Sequence, residues 1–525
     1  MRTLLKNGAI YDGSGVEPFM GDVLVENEQI IAIGADISQK TDKIIDCTGL
    51  CIAPGFIDAH SHNDFFIEGE NSGKYFAPFV KQGITTQITG NCGLSPFGVA
   101  EDSLHKELVG GSIFNAKNPG SFAKFLDAAQ GSLHVNIAPL VGHGAVRAGI
   151  SGKSSTPLTD DQMSEMLSRI SETMKLGAIG GSFGLMYEPG IYANQSELCA
   201  FAAEVAKYDG ILTVHPRSCS KIAVGYRPIF TKPHIMIAFD EVAQIAEKAN
   251  VKLHYSHFLC VGKASWACAD LLREKMRSLN VTYDFYSFCH GASVITVVLP
   301  PWYMSLPPEK RKSKIARIKI KTMINLARKL LGLDFDDFTI ADIDDKHKAY
   351  LGKNIAEIAK SEGLSKIDMY LKLVELSNGK ARIYIGKYNN EEILQKLMQD
   401  DLSMFMTDAW IEDSGIQSQT AFQGLPYFLV RAREMGMPLE KAIHKMTGKT
   451  AERFCLPSRG LLKVGNFADI TVFDYEGVSV NLEDPTSTPS GIKYVLINGN
   501  IVVDDEAYKP QTCGQMILKT PAQTS

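Results

Sequence analysis

The chain has 525 residues, of which 45% are hydrophobic and 22% are charged. This composition is ordinary for a globular protein, and the length suits a large barrel with attached domains. A formal net charge of −5 gives no reason to expect nucleic-acid binding, and no run of about 18 apolar residues exists that could span a membrane. Ten scattered cysteines and a start unlike a signal peptide predict a cytoplasmic protein with reduced thiols.

Both ends of the chain alternate short strands with turns. Residues 1–54 and 455–510 each do so, and together they predict a small β-sandwich built from the two chain ends. The middle alternates strand and helix signals, which predicts an α/β fold with a TIM-like (β/α)8 barrel over residues 55–298 plus 399–454. Residues 299–398 interrupt this alternation, and we interpret them as a small subdomain inserted in the barrel.

Eight segments of the middle region read as barrel strands. They begin near Phe56, Ile84, Val135, Ile179, Ile211, Val251, Val281 and Leu402. One connecting helix is predicted after Thr159, which has Gln162 three residues later in the pattern of a capping box. Met163, Met166, Leu167, Ile170 and Met174 then recur at helical spacing and predict a buried stripe rather than a cofactor site.

Metal-binding residue types stand where several of these strands should end. His60 and His62 follow an apolar run at i and i+2, so both side chains project to the same side. Taken alone, the pair fits a polar strand end as well as a metal site. Later strand ends add further residues of the same kind, which makes a metal site at the carboxyl end of the barrel the better interpretation. The added residues are Cys92, His215, His257 and Asp408.

Several segments resemble the D-aminoacylase (N-acyl-D-amino-acid deacylase) family of the metal-dependent amidohydrolase superfamily. They follow the family's order over nearly the whole chain, and the segment GNCG, with its cysteine, is the most specific. The other matching segments are PGFIDAHSHND, GITTQITGNCG, LVGHGAVR, GLMYEPGIYA, VHPRS, YSHFLCVGK, LPPW and MTGKTAERFCLPSRGLLKVGNFADITVFD.

The resemblance implies a role for each matching residue. Cys92, His215 and His257 would hold one tightly bound Zn²⁺, and His60, His62 and Asp408 would line a weaker second position. Asp408 would also be the general acid/base. Tyr192 would line the substrate pocket, and Tyr286 would contact the substrate carboxylate.

Two positions depart from the family pattern. Leu259 stands where the family has a lysine that helps bind the substrate carboxylate, and no arginine is evident shortly after Asp408. Two hypotheses follow. Either Arg217 or Lys263 pairs with the carboxylate instead, or the substrate has no free carboxylate at that place.

The function expected from these observations is zinc-dependent hydrolysis of small N-acylated D-amino acids. Metal-activated water and an aspartate acid/base would cleave the amide bond. Two alternatives stay open at this point, a cyclic-amide hydrolase similar to hydantoinases or dihydroorotases and a non-catalytic barrel that binds a partner. The sequence predicts neither the oligomeric state nor the acyl group.

Overall fold

The computed structural model describes residues 1–69, 71–111, 113–114, 116–228 and 231–519. Five strands precede the barrel, and β1 pairs with β2, β4 and β5. Their apolar side chains, such as Leu5, Val23 and Ile52, pack into a separate core. The strands are β1 (Arg2–Ile10), β2 (Phe19–Glu26), β3 (Gln29–Gly34), β4 (Lys43–Asp46) and β5 (Cys51–Pro54).

The next strands form a parallel sheet, as expected for strands that alternate with helices. Every residue of most of these strands is buried, because each strand has helices on one side and the barrel interior on the other. The strands are β6 (Phe56–Asp58), β7 (Ile84–Thr89), β8 (Asn136–Gly142), β9 (Gly180–Gly184), β10 (Ile211–His215), β11 (Lys252–Tyr255) and β12 (Thr282–Phe285).

Helices connect these strands. The helix after Thr159 carries the predicted capping box, and Met166, Ile170 and Met174 on it are buried as predicted. Met163 and Leu167 of the predicted stripe are only partly buried at the edge of the same core. The connecting helices are α1 (Gly73–Val80), α2 (Phe122–Ala129), α3 (His143–Ser151), α4 (Asp160–Lys175), α5 (Gln195–Ala206), α6 (His234–Ala249) and α7 (Ala269–Ser278).

An inserted subdomain follows β12. It contains a three-stranded antiparallel sheet in the order β13, β15, β14. This sheet begins at Gly291, whereas the predicted boundary was residue 299. The first strand, β13, pairs with a strand about 90 residues later, and no local pattern in the sequence indicates that pairing. Its elements are β13 (Gly291–Val294), α8 (Pro301–Met304), α9 (Pro308–Arg311), α10 (Lys314–Leu331), β14 (Phe338–Asp342), α11 (Ile355–Ser361), α12 (Lys366–Leu376) and β15 (Arg382–Ile385).

The last barrel strand closes the ring. After α13 (Glu391–Gln399), β16 (Ser403–Phe405) pairs with β12. Its other side meets β6, where the Ala59 N–H donates to the Phe405 carbonyl at 3.3 Å and the Asp408 N–H donates to the His60 carbonyl at 2.9 Å. The predicted (β/α)8 barrel is therefore confirmed, and its closure brings the segment after β6 beside the segment after β16.

The end of the chain returns to the first sheet. Three helices follow β16, and then β17 pairs with β5, so strands from both chain ends form one nine-stranded sheet. Among the described residues, no helix is both long and apolar enough to cross a membrane. The remaining elements are α14 (Thr420–Glu434), α15 (Leu439–Lys445), α16 (Gly448–Arg453), β17 (Ile470–Phe473), β18 (Ile492–Ile497), β19 (Asn500–Asp504) and β20 (Ala507–Tyr508).

Candidate active site

The side chains of Cys92 and of residues at or just after the ends of four other strands converge at one point. Its Sγ lies 3.4 Å from His60 Nε2, 3.2 Å from His257 Nε2 and 3.7 Å from His215 Nδ1. Asp408 lies beside them, with Oδ1 3.4 Å from His60 Nε2 and Oδ2 3.4 Å from His257 Nε2. The closed barrel explains this convergence, because the carboxyl ends of all its strands meet at one face.

His62 extends the cluster on the side of Asp408. Its Nε2 lies 3.3 Å from Asp408 Oδ1. Two overlapping groups have donor atoms close enough to hold an ion, and His60 belongs to both. The groups are His60, Cys92, His257 and His60, His62, Asp408. The structure thus brings all six predicted ligands together, but it places His60 between the two positions rather than in the second one alone.

The backbone at three of these residues is in the left-handed region. Cys92 has φ of 55°, His257 of 46° and Asp408 of 42°. L-residues adopt such angles rarely and at a cost of about 1–3 kcal/mol each, and they do so mostly at functional sites. The strand therefore ends in a sharp turn at each of these residues, which directs the side chain into the barrel mouth.

The ionisation of the cluster fits a bound cation. Burial raises the pKa of the Cys92 thiol to about 11, so a nearby cation is needed to keep it as the thiolate that binds metals. Burial also lowers the pKa of His257 to about 4, which leaves its ring neutral with a lone pair free to coordinate. Thiolate, imidazole and carboxylate donors in this number suit zinc better than magnesium or calcium.

Asp408 is ionised despite its burial. Burial alone would raise its pKa, but the neighbouring His60 ring and a hydrogen bond from His62 hold that pKa well below its ordinary value. The Tyr286 hydroxyl donates a hydrogen bond to Asp408 Oδ2. Burial and the nearby Asp408 raise the pKa of Tyr286 well above its ordinary value, so this hydroxyl stays protonated and remains a donor.

Two acidic residues that the sequence analysis did not single out orient the cluster. Asp284 on β12 accepts a hydrogen bond from His60 Nδ1 at 3.3 Å, from His254 Nε2 at 3.1 Å and from the His257 N–H at 2.5 Å. Asp58 accepts from the Thr407 hydroxyl at 2.6 Å. Each is a single carboxylate inside an otherwise apolar or aromatic strand, and that was the signal available in the sequence.

The structure places only two of the four predicted substrate contacts beside the cluster. Tyr286 and Arg217 line a cavity beside the cluster, whereas Tyr192 is half-buried outside that lining and donates to Glu188 at 2.6 Å. Lys263 is exposed and the structure does not bring it to the cavity.

Arg217 lines the cavity, but each of its three side-chain nitrogens already donates to a protein group. Its Nε donates to Glu241 Oε1 at 3.0 Å, one terminal nitrogen donates to the Ile191 carbonyl at 2.7 Å, and the other donates to the Ala193 carbonyl at 2.5 Å. Neither residue proposed to replace the family's lysine is therefore poised to bind a carboxylate in this cavity. Residues that sequence reasoning missed here are Tyr187 and Tyr388, which also line the cavity.

Comparisons with known proteins agree with this architecture. A family model described as the amidohydrolase family matches residues 409–503. A D-aminoacylase from Alcaligenes xylosoxydans xylosoxydans is 28% identical over 99% of this chain and 98% of its own length. An N-acyl-D-glutamate deacylase from the same organism is 28% identical over 94% of this chain and 92% of its own length.

A solved structure gives the same result for the fold. A D-aminoacylase studied for the functional role of its binuclear metal center superimposes with a TM-score of 0.79 at 25% identity. The match covers 98% of this chain and 99% of that one. The similarity therefore includes the sheet at the chain ends and the inserted subdomain as well as the barrel.

Proposed function

We propose that this chain, which is similar to D-aminoacylases over nearly its full length, hydrolyses the amide bond of N-acyl-D-amino acids with the help of bound zinc. The observation that carries this proposal is the convergence of one cysteine, four histidines and one aspartate at the carboxyl end of the barrel. Full-length similarity to enzymes named for N-acyl-D-amino acids supports the substrate class.

Cys92, His60, His215 and His257 would hold the tight ion, and His60, His62 and Asp408 would offer a weaker second position. His60 counts toward both positions because its Nε2 lies between the thiol and the carboxylate. A zinc ion bound there would polarise the amide carbonyl and lower the pKa of water to about 7.

Asp408 would act as the proton carrier. Its carboxylate is ionised and lies at the junction of the histidine cluster and the cavity, so Oδ2 can take a proton from the attacking water. The same oxygen then returns the proton to the amide nitrogen, which must be protonated to leave as an amine. Groups in this role typically contribute about 10²–10⁴-fold to the rate.

Tyr286 and Asp284 would position the reacting groups. The Tyr286 hydroxyl holds the Asp408 carboxylate in one orientation by donating its proton to Oδ2, and its oxygen can still accept a hydrogen bond from the substrate. Asp284 fixes the ring of His60 by accepting from Nδ1, which leaves Nε2 directed at the cluster.

The two alternative functions have less support. The full-length relatives are named for linear N-acyl amino acids, which favours linear amides over cyclic ones. A binding protein without catalysis would have no chemical need for strained ligands around an ionised aspartate.

A panel of purified substrates tests the proposal. The zinc-replete protein is expected to release free amino acid from N-acyl-D-amino acids, to act slowly on the L-enantiomers and to leave hydantoin and dihydroorotate intact. Asp408→Asn is the matched control for contaminating activity. Ring opening without acyl release, or equal turnover in Asp408→Asn, would contradict the proposal.

A further inference from the structure

A large apolar cavity leads away from the cluster, between the barrel strands and the inserted subdomain. Its volume is about 390 Å³, and it reaches His215, His257 and Asp408 at its inner end. A second cavity of about 50 Å³, lined mainly by apolar side chains with Arg328 and Asp334 at its wall, lies next to it. Residues that line both are Val224, Val298, Leu331, Leu333 and Phe338. The apolar space is therefore long, and it extends from the reacting groups into the inserted subdomain.

The two arginines that line this cavity are engaged by other protein groups. The buried Leu259, which is 5% exposed, forms part of the wall. Arg217 is held by Glu241 and two backbone carbonyls, and the exposed Arg227 stacks on Tyr226 with 5.4 Å between guanidinium carbon and ring centroid. A carboxylate placed deep in this space would lose its hydration without gaining a charged partner.

A smaller polar cavity of about 110 Å³ lies on the other side of Asp408. Arg382 and Lys380 contribute positive charge to its lining, and Asp342, Glu412 and Asp408 contribute negative charge. Arg382 Nε lies 3.1 Å from Glu412 Oε1. The two cationic side chains give a substrate carboxylate positive charge to approach at this wall, which the deep part of the apolar cavity does not offer.

The two cavities meet at the reacting groups. Their linings share Tyr187, Ala292, Ser293 and Asp408. An N-acyl amino acid with a small side chain has an uncharged acyl chain on one side of the amide and a carboxylate on the other, so its polarity matches this arrangement when the acyl chain lies in the apolar cavity.

We infer that the substrates of this enzyme carry a medium- or long-chain acyl group, which occupies the apolar cavity while the amino-acid carboxylate lies in the polar one. This inference rests on the proposed function. Cavities of roughly 300–1,000 Å³ hold drug-sized ligands, so an acetyl group leaves most of the apolar space unfilled. Side chains that line an unfilled cavity lack dispersion contacts on that side, and apolar cavities bind apolar ligands readily.

A chain-length series tests the inference. We would measure kcat/KM for N-acyl-D-alanines from acetyl to decanoyl, because alanine keeps the amino-acid side chain small. Each buried methylene is expected to raise kcat/KM by about fourfold until the cavity is full. The octanoyl substrate should exceed the acetyl one by at least about 10²-fold, and an acetyl substrate that equals it overturns the inference.

A variant that fills the cavity gives a second test. Val298→Trp places a large side chain where the two apolar cavities join, and Leu326→Trp on the exposed side of α10 is the matched control. We expect Val298→Trp to abolish the preference for long chains while it still hydrolyses N-acetyl-D-alanine, and Leu326→Trp to keep the preference. If Val298→Trp does not fold, Val224→Phe addresses the same junction. An unchanged chain-length profile in a folded filling variant overturns the inference.

Arg382→Met tests the placement of the substrate carboxylate in the polar cavity. The variant and the wild type are each assayed with two substrates. The ratio of kcat/KM for N-octanoyl-D-alanine to that for its carboxamide should fall at least about tenfold in the variant. Using a ratio cancels any general damage from the loss of the Arg382–Glu412 pair. An unchanged ratio overturns the placement of the carboxylate.

Failure of the proposed function would be recognised separately. If no N-acyl-D-amino acid is hydrolysed, the proposed function is wrong, and calorimetric titration of the zinc-loaded protein with decanoate and with butyrate then decides the cavity's role. Tighter binding of decanoate that is lost in Val298→Trp supports the acyl-chain assignment. Equal binding of the two acids overturns it.

Discussion

The two ends of the barrel strands use buried polar residues differently. At the carboxyl end, Cys92, the histidines and Asp408 direct their donor atoms toward one another, and three of them have left-handed backbone. At the amino end, Lys445 donates to Ser403 Oγ at 2.9 Å, and the Ser403 hydroxyl donates to the Leu397 carbonyl at 2.6 Å. Polar groups that are fully paired with each other stabilise the fold, whereas donor atoms that face one another around a common point are arranged for a ligand.

Replacing Cys92 should impair the site at the carboxyl end of the barrel strands more than the other substitutions. In Cys92→Ala the thiol that three histidines surround is lost, so the tight metal position loses its only sulfur donor. We expect zinc to be lost on dialysis and hydrolysis to fall below detection while the far-UV circular dichroism spectrum is unchanged. Elemental analysis checks the metal content, and a zinc-replete, active variant would exclude the ligand role.

Asp408→Asn should remove the proton carrier and leave the tight metal position in place. The amide keeps the size of the carboxylate but cannot accept a proton from water. We expect kcat to fall by about 10²–10⁴-fold with zinc retained, which steady-state kinetics and elemental analysis together measure. Near-normal kcat would assign the base to another residue.

Asp284→Asn should weaken metal binding, because the His60 ring is then held less firmly in its orientation. The variant keeps the shape of Asp284 but loses the negative charge that fixes the Nδ1 proton of His60. We expect zinc affinity to fall by about 10–100-fold, as for other residues that hold a metal-binding histidine. Competition with a chelator measures this affinity, and wild-type affinity would show that His60 needs no such support.

Lys445→Met should affect stability and its dependence on pH, with little effect on chemistry. Burial lowers the pKa of Lys445 from 10.5 to about 7 in the folded protein. Between these two values the unfolded chain binds the additional proton, so the stability of the wild type should rise with pH by up to about 1.4 kcal/mol per unit. Urea unfolding between pH 7 and pH 10 tests this, and an equal slope in Lys445→Met would refute it.

The sequence predicted the carboxyl end of the barrel better than the walls of its cavities. His60, Cys92 and His257 each follow a strand signal directly, so local pattern and strand alternation were sufficient to bring them together. The position of His60 between two groups was not predictable, because it depends on how the barrel closes between β6 and β16.

The cavity walls depend on contacts between distant segments. Val298, Leu333 and Arg382 belong to the inserted subdomain, and no local pattern indicates which of its residues face the barrel mouth. Arg217 and Lys263 were predicted from proximity in sequence to candidate ligands. The structure instead commits Arg217 to Glu241 and leaves Lys263 exposed.

The central claim is that a metal held by the converging residues drives hydrolysis of N-acyl-D-amino acids. The most direct test removes metal with a chelator and titrates zinc back while hydrolysis of an N-acyl-D-alanine is recorded. We predict that activity is absent without metal, rises in proportion to zinc and levels off near one ion per chain. Full activity in protein that contains no transition metal would contradict the claim.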